Sequence, residues 1–402
     1  MLPWIEADRL AQEHGDSYYL LDEARLIANA DEFCREFRAR YSATDVAYPY
    51  KTNHLPDICR TFAGLGLFAE VASDMDWWLA RRIGVDGRRI LSNGPHRSRA
   101  ALAQVMAAGG TVILDSLRDL TIVEDIARTA GDVEFGVGLR LGFRLGSRVH
   151  LRFGFELGSV EYDQVVSRIR AARGLRLAGL HCHFPECAVG SFAERARTLV
   201  TVADDLFDGV PDFLDVGGSF YGGVPAQFPG GGPAPSVAEY ADAVCSELVS
   251  AYGKDASGPR LVIEPGTALV ASALSLITRI VSIKSAGDRR FANVAGSILD
   301  TSPNTRRVDF PVTPVRGSQG LDGPFDIGGS TLIADEYLAL DLPGPLAEGD
   351  FLEFGNVGAY SVSMVPPFVR PDIAVLKRSG TDRPWVMVRR AATPQDVFAA
   401  ML

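Results

Sequence analysis

Lys51 closes an apolar, tyrosine-bearing run, "DVAYPYKTN", at residues 45–53. A lysine held where water is scarce loses proton affinity and becomes a usable amine nucleophile. His181 and His183, in "LAGLHCHF", fall two residues apart and share a face if that run is a strand. "GGSFYGG" at 217–223 offers bare backbone N–H groups of the kind that cradle an anion. Glu264, in "RLVIEPG", adds a carboxylate. Each has a plain structural reading as well: a snorkelling lysine, an ordinary turn, a loop or helix-capping carboxylate. "HCHFPEC" has the ingredients of a zinc site, but His181 and Cys182 would point to opposite faces of a strand, so no metal is expected.

These residues gain meaning from the elements that carry them. β-rich runs at 46–50, 67–72, 89–91, 111–114, 134–141, 177–184, 213–217 and 260–266 alternate with stretches such as "SRAALAQVMAAGG", whose apolar residues recur every three or four positions. This alternation predicts a parallel sheet, and eight units match a closed (β/α)8 barrel, with an open doubly wound sheet as the competitor. In such a barrel the active site lies at the carboxyl ends of the strands, where Lys51, His183, the glycine-rich turn and Glu264 all fall. Amine, anion cradle and carboxylate together are what pyridoxal 5′-phosphate requires of its host.

After about residue 275 the texture becomes short, alternating and turn-separated, as in "STLIADEYLALDL" and "RPDIAVLKRSG". This predicts a mainly β domain, a barrel or sandwich, joined by a strand from "SYYLLDEARL". The expected division is a barrel over 27–272, with 1–26 and 273–402 in the β domain. "PGGGPAP" at 229–235 reads as a loop inside the barrel. A net charge of −10 argues against a nucleic-acid or anionic-membrane surface. No apolar run approaches the roughly 20 residues of a membrane helix, and the acidic start lacks a secretory pattern. Five unpatterned cysteines read as reduced thiols, which places the chain in the cytoplasm.

The set of motifs, in order, resembles the ornithine/diaminopimelate/arginine decarboxylase family, pyridoxal-phosphate enzymes with an alanine-racemase-like fold. The segments are "AYPYKTN", "FAEVAS", "ILSNGPHRS", "GLHCHF", "LDVGGSFYGG", "EPGTALVA" and "GNVGAYSVSM". The resemblance implies that Lys51 forms the Schiff base with the cofactor, that His183 stacks on its ring, and that Gly217, Gly218 and Ser219 offer N–H groups to its phosphate. It implies that Glu264 keeps the pyridine nitrogen protonated, supporting the quinonoid left when CO2 departs, and that Tyr360 bonds the phosphate. A carboxylate there favours decarboxylation; racemases of the same fold place an arginine.

The departures qualify the substrate. "GGSTLIAD" puts Thr331 where the family has a proton-donating cysteine, and a hydroxyl is far too weak an acid to match a thiol near neutrality. Lys51 or a water would donate instead. Leu332 replaces the acidic residue that recognises a distal amino group. Thr267 stands for a phosphate-binding arginine and Glu186 for a serine, while Arg306 and Arg307 are candidates to meet the phosphate or a substrate carboxylate. Arg152 and Asp335 resemble a pair that joins subunits, implying a homodimer with shared active sites. The resulting expectation is a pyridoxal-phosphate-dependent decarboxylase of a non-standard amino acid or amino-acid conjugate in specialised metabolism. The alternatives are a racemase, epimerase or aldol-type enzyme on the same fold, and a catalytically inactive regulatory relative.

Overall fold

The computed structural model describes residues 2–146, 148, 149, 152–229, 231–254, 257–301 and 308–402. Its chain forms two compact units, one of Asn29–Tyr221 with Pro235–Gly266, the other of Met1–Ala28, Gly222–Ala234 and Thr267–Leu402. The first is a closed barrel of eight parallel strands: β1 (Thr44–Pro49), β2 (Phe68–Val71), β3 (Ile90–Ser92), β4 (Thr111–Leu114), β5 (Phe135–Gly142), β6 (Leu175–His181), β7 (Phe213–Asp215) and β8 (Arg260–Ile263). Pairing of β5 with β6 and of β8 with β1 closes the ring. Every strand anticipated from the sequence is present, and the open-sheet alternative falls because no edge remains.

Seven helices return the chain between strands: α1 (Pro56–Gly64), α2 (Asp74–Arg82), α3 (Arg99–Ala107), α4 (Leu117–Thr129), α5 (Val160–Ala171), α6 (Val189–Leu206) and α7 (Val237–Tyr252). Serines begin most of them. Ser73, Ser98, Ser116, Ser159 and Ser236 each accept a hydrogen bond from a first-turn backbone N–H that would otherwise lack a partner.

The barrel interior is one apolar layer drawn from successive strands: Ala47, Phe68, Leu91, Ile113, Ala178, Phe213 and Val262. Strand β5 contributes Gly138, because a Cβ there would lie 2.4 Å from Ile113 Cδ1 and 2.8 Å from Phe213 Cζ. That missing side chain is the space Phe213 fills.

The other unit is β-rich, as expected. Strand Ser17–Asp22 pairs antiparallel with Leu274–Ala286 and parallel with Ala374–Arg378, so the N-terminal strand does enter this sheet. The amphipathic helix Trp4–His14 adds Ala7, Leu10 and Ala11 to a core with Tyr18, Ile277, Phe351 and Leu376. The segment Gly222–Ala234 belongs here and not to the barrel unit. Local bonds hold it: Asn356 Nδ2 donates to Gly223 O (3.2 Å), and the Ala226 N–H donates to Asp309 O (3.0 Å). Helix–strand alternation in sequence gave no sign of those bonds. Among the described residues no helix is long and apolar enough to cross a membrane.

Gly138→Ala should overpack the apolar layer and cost about 1–3 kcal/mol, read as a lower urea midpoint at unchanged slope.

Candidate active site

Two residues beyond the apolar layer, six of the eight strands place a polar residue at the inward position. Phe68 is followed by Glu70, Leu91 by Asn93, Ile113 by Asp115, Gly138 by Arg140, Phe213 by Asp215 and Val262 by Glu264, all of them buried. His181 takes the same level from β6 and is fully buried. Side chains alternate along a strand, so two steps return to the interior.

Lys51 sits just above this level, in a single 3-10 turn (Tyr50–Thr52) directly after β1. Its Nζ lies 2.7 Å from Glu70 Oε2. Burial pushes the Glu70 carboxyl up to about 7, even though the Lys51 ammonium draws it down. The opposite wall is a relay. Arg140 donates to Asp115 (3.2 Å) and more weakly to Asn93 Oδ1 (3.5 Å), which turns the Asn93 amide towards His181 Nε2 at 3.2 Å. His181 Nε2 in turn is 3.6 Å from Glu264 Oε1. Burial lowers the His181 pKa against the opposing pull of the Glu264 carboxylate.

Two carboxylates meet at the closed side. Donor atoms of His181, Asp215 and Glu264 lie within 4.8 Å of one another. Burial, reinforced by the Glu264 charge, raises Asp215 well above the carboxylate range, so Asp215 carries the proton. Glu264 resists the same burial and is drawn down to about 2 by His181 and Lys51, so it stays ionised. Four buried atoms here, Glu70 Oε1, His181 Nδ1, Asp215 Oδ2 and Glu264 Oε1, have no hydrogen-bond partner among the described residues. Buried polar atoms are seldom left so. Their clustering is the signature of a pocket built for a polar, partly cationic ring system such as that of pyridoxal 5′-phosphate.

The glycine-rich turn departs in detail from the sequence reading. The Gly217 N–H donates to Asp215 Oδ1 (2.8 Å), and the Gly218 N–H donates to His183 Nδ1 (3.1 Å), so neither is open to an anion. The Gly218 bond fixes His183 with Nδ1 unprotonated, in keeping with a pKa that burial and Lys51 hold well below the usual value. Gly217 must be glycine: its φ is +69° and a Cβ would meet Cys182 O at 2.4 Å. Ser219, at φ 77°, and Gly266 each present a backbone N–H that has no hydrogen-bond partner among the described residues.

The remaining candidates belong to the β-rich unit. Thr267 opens a short helix, Thr267–Val270. Tyr360 caps the helix Ser361–Met364 in the left-handed region (φ 63°), and its hydroxyl has no partner among the described residues. Thr331 donates from both N–H and Oγ1 to Glu336 Oε2, so its hydroxyl proton is committed to a buried carboxylate. Leu332 is 90% exposed and Asp335 is exposed. Arg306 and Arg307 lie outside the described residues. Glu186 gives its backbone carbonyl to Arg195. Sequence reading missed Glu70, Asn93, Asp115, Arg140 and Asp215 as site residues, although each lies two positions after a residue of the apolar layer.

Residues 27–271 match the family model described as pyridoxal-dependent decarboxylase, pyridoxal binding domain. A diaminopimelate decarboxylase of Deinococcus radiodurans is 28% identical over 398 residues, covering 97% of each chain. One from Actinosynnema pretiosum subsp. auranticum is 29% identical, covering 99% of this chain and 91% of that one. The fold is shared with the crystal structure of diaminopimelate decarboxylase from M. jannaschii with L-lysine, at TM-score 0.88 and 21% identity over 99% of this chain and 94% of that one.

Asp215→Asn checks the protonation pattern. A carboxyl whose folded pKa is raised keeps its proton after the unfolded chain has lost its own, so it lowers stability as pH climbs from about 4. The asparagine variant should therefore gain stability over the parent as pH rises above that point, seen by denaturing both at pH 5 and pH 7.

Proposed function

The chain belongs to the family of pyridoxal-dependent decarboxylases, with pyridoxal 5′-phosphate as cofactor, and from that premise we propose that it decarboxylates a non-standard amino acid or amino-acid conjugate whose far end carries no ammonium. The observation that carries this reading is the pairing of an intact barrel site with Leu332, 90% exposed, where an acidic residue would meet a distal amino group. When bound, the cofactor supplies an electron sink for the pair left behind by departing CO2.

The chain's own residues do the rest. Lys51 supplies the amine that holds the cofactor, and it is kept in place by Glu70 at 2.7 Å. Glu264, ionised and with an unpartnered oxygen, holds a proton at the ring nitrogen. His183, kept neutral, faces the ring without adding charge. Ser219 and Gly266 offer their N–H groups to the phosphate. Thr331 has its proton tied to Glu336, so Lys51 returns the proton to the product's α-carbon. Glu70, poised near 7, is the acid that recharges Lys51. We also place the enzyme in the cytoplasm, in specialised metabolism, as a homodimer in which Asp335 meets Arg152 of a second copy; light scattering reports the dimer.

A second reading, diaminopimelate as the substrate, is favoured by the names of the relatives. Release of CO2 and amine should be measured on diaminopimelate, lysine and ornithine beside neutral and conjugated amino acids. The first reading expects kcat/KM at least tenfold higher for the uncharged or conjugated group; the reverse order establishes the second. Exchange of the α-proton without CO2 would instead point to the racemase or aldol chemistry. Lys51→Ala should abolish the visible absorbance that appears on adding cofactor. Glu70→Gln should keep that absorbance and lower kcat on the order of 10²-fold.

A further inference from the structure

Helix α6 carries Arg195, whose side chain is fully buried. One guanidinium nitrogen donates to Gly218 O (2.8 Å) and more weakly to Val216 O (3.4 Å). Another donates to Phe184 O (3.2 Å), Glu186 O (2.5 Å) and Ser191 Oγ (3.1 Å). The group lies 4.0 Å from the Phe192 ring centroid. Among the described residues no carboxylate reaches ion-pair distance of it. Arg97, equally buried, differs: Asp119 Oδ2 is 2.6 Å away.

A buried charge answered only by neutral oxygens is expensive unless an opposite charge completes it. Burial draws the Arg195 pKa down to about 10, which still leaves it cationic at neutral pH. The geometry says where the opposite charge belongs. In a trans peptide, C=O and N–H point in opposite directions, and cis bonds among the described residues are confined to Val224–Pro225 and Gly344–Pro345. The Gly218 carbonyl faces Arg195, so the N–H of the same peptide, that of Ser219, faces away from it. That N–H has no hydrogen-bond partner among the described residues. A cation on the carbonyl side polarises the peptide and strengthens its N–H as a donor.

We propose that Arg195 is the positioning residue and buried counter-charge of the cofactor's phosphate, acting through the Gly218–Ser219 peptide without touching the ligand. This rests on the reading that the 217–219 turn receives the phosphate. It also accounts for Thr267 and Glu186, where the family's arginine and serine are lost: the positive charge stands behind the turn and the Ser219 N–H stands in front.

The test uses the full chain stripped of cofactor and titrated with pyridoxal 5′-phosphate and with pyridoxal, which lacks only the phosphate. The parent should prefer the phosphorylated form at least 100-fold. Arg195→Met should cut that preference at least tenfold while pyridoxal affinity stays within threefold, and Arg195→Lys should recover part of it. Arg195→Gln, which keeps a donor, replaces the methionine variant if that one does not fold. Equal losses for both ligands, or an unchanged preference, overturn the role of Arg195. A parent without preference overturns instead the phosphate reading of the turn.

Discussion

Alternation along a strand is the constraint on which this molecule depends. In a closed parallel barrel an inward residue is followed, two positions later, by another inward residue. The apolar layer containing Phe68, Leu91, Ile113, Phe213 and Val262 therefore dictates that Glu70, Asn93, Asp115, Asp215 and Glu264 share one buried level. The layer supplies rigidity and low polarity; the level above it uses both. Charges in water would interact weakly, whereas at this depth each proton position is decided by its neighbours.

That polar level is divided by sign. On one side Lys51 leans on Glu70, and on the other Arg140 orients Asn93, which orients His181. Between them Asp215 takes the proton and leaves Glu264 ionised. Two like carboxylates in one pocket would repel if both were charged, so protonating one is the cheaper arrangement. The protonated Asp215 still accepts the Gly217 N–H, which couples the acid pair to the turn that follows β7. Arg195 grips the same turn from behind. The acid pair and Arg195 thus meet on one short piece of backbone.

Much of this was legible in the sequence, and the reason differs by residue. All eight barrel strands could be read because buried parallel strands are short apolar runs between helical periods. Lys51, His183 and Glu264 stood out as polar residues ending such runs. Glu70, Asn93, Asp115, Arg140 and Asp215 look like ordinary strand-end polars; applying the two-residue offset to every strand would have found them. Gly217 and Gly218 were read as anion donors because a glycine pair suggests exposed N–H groups. Their N–H groups instead bond Asp215 and His183, and only a three-dimensional turn could show that. Arg195 lies mid-helix, fully buried, and all its partners but the Ser191 hydroxyl are backbone carbonyls, which leave no trace in residue types.

Thr331 and Leu332 sit in a loop of the β-rich unit, whereas the buried polar level belongs to the barrel. A barrel residue at the polar level is held by neighbours on both sides, so replacing it disturbs several proton positions together. Thr331 answers chiefly to its own loop. Its hydroxyl and N–H both bond Glu336, which also accepts from Ser297 Oγ and the Ile298 N–H. A thiol donates more weakly to a carboxylate than a hydroxyl does, so threonine makes the loop firmer while surrendering an acid. In the barrel, by contrast, burial raises the Glu70 carboxyl to about 7 beside the Lys51 ammonium, and a change at either residue reaches both partners of that 2.7 Å bond.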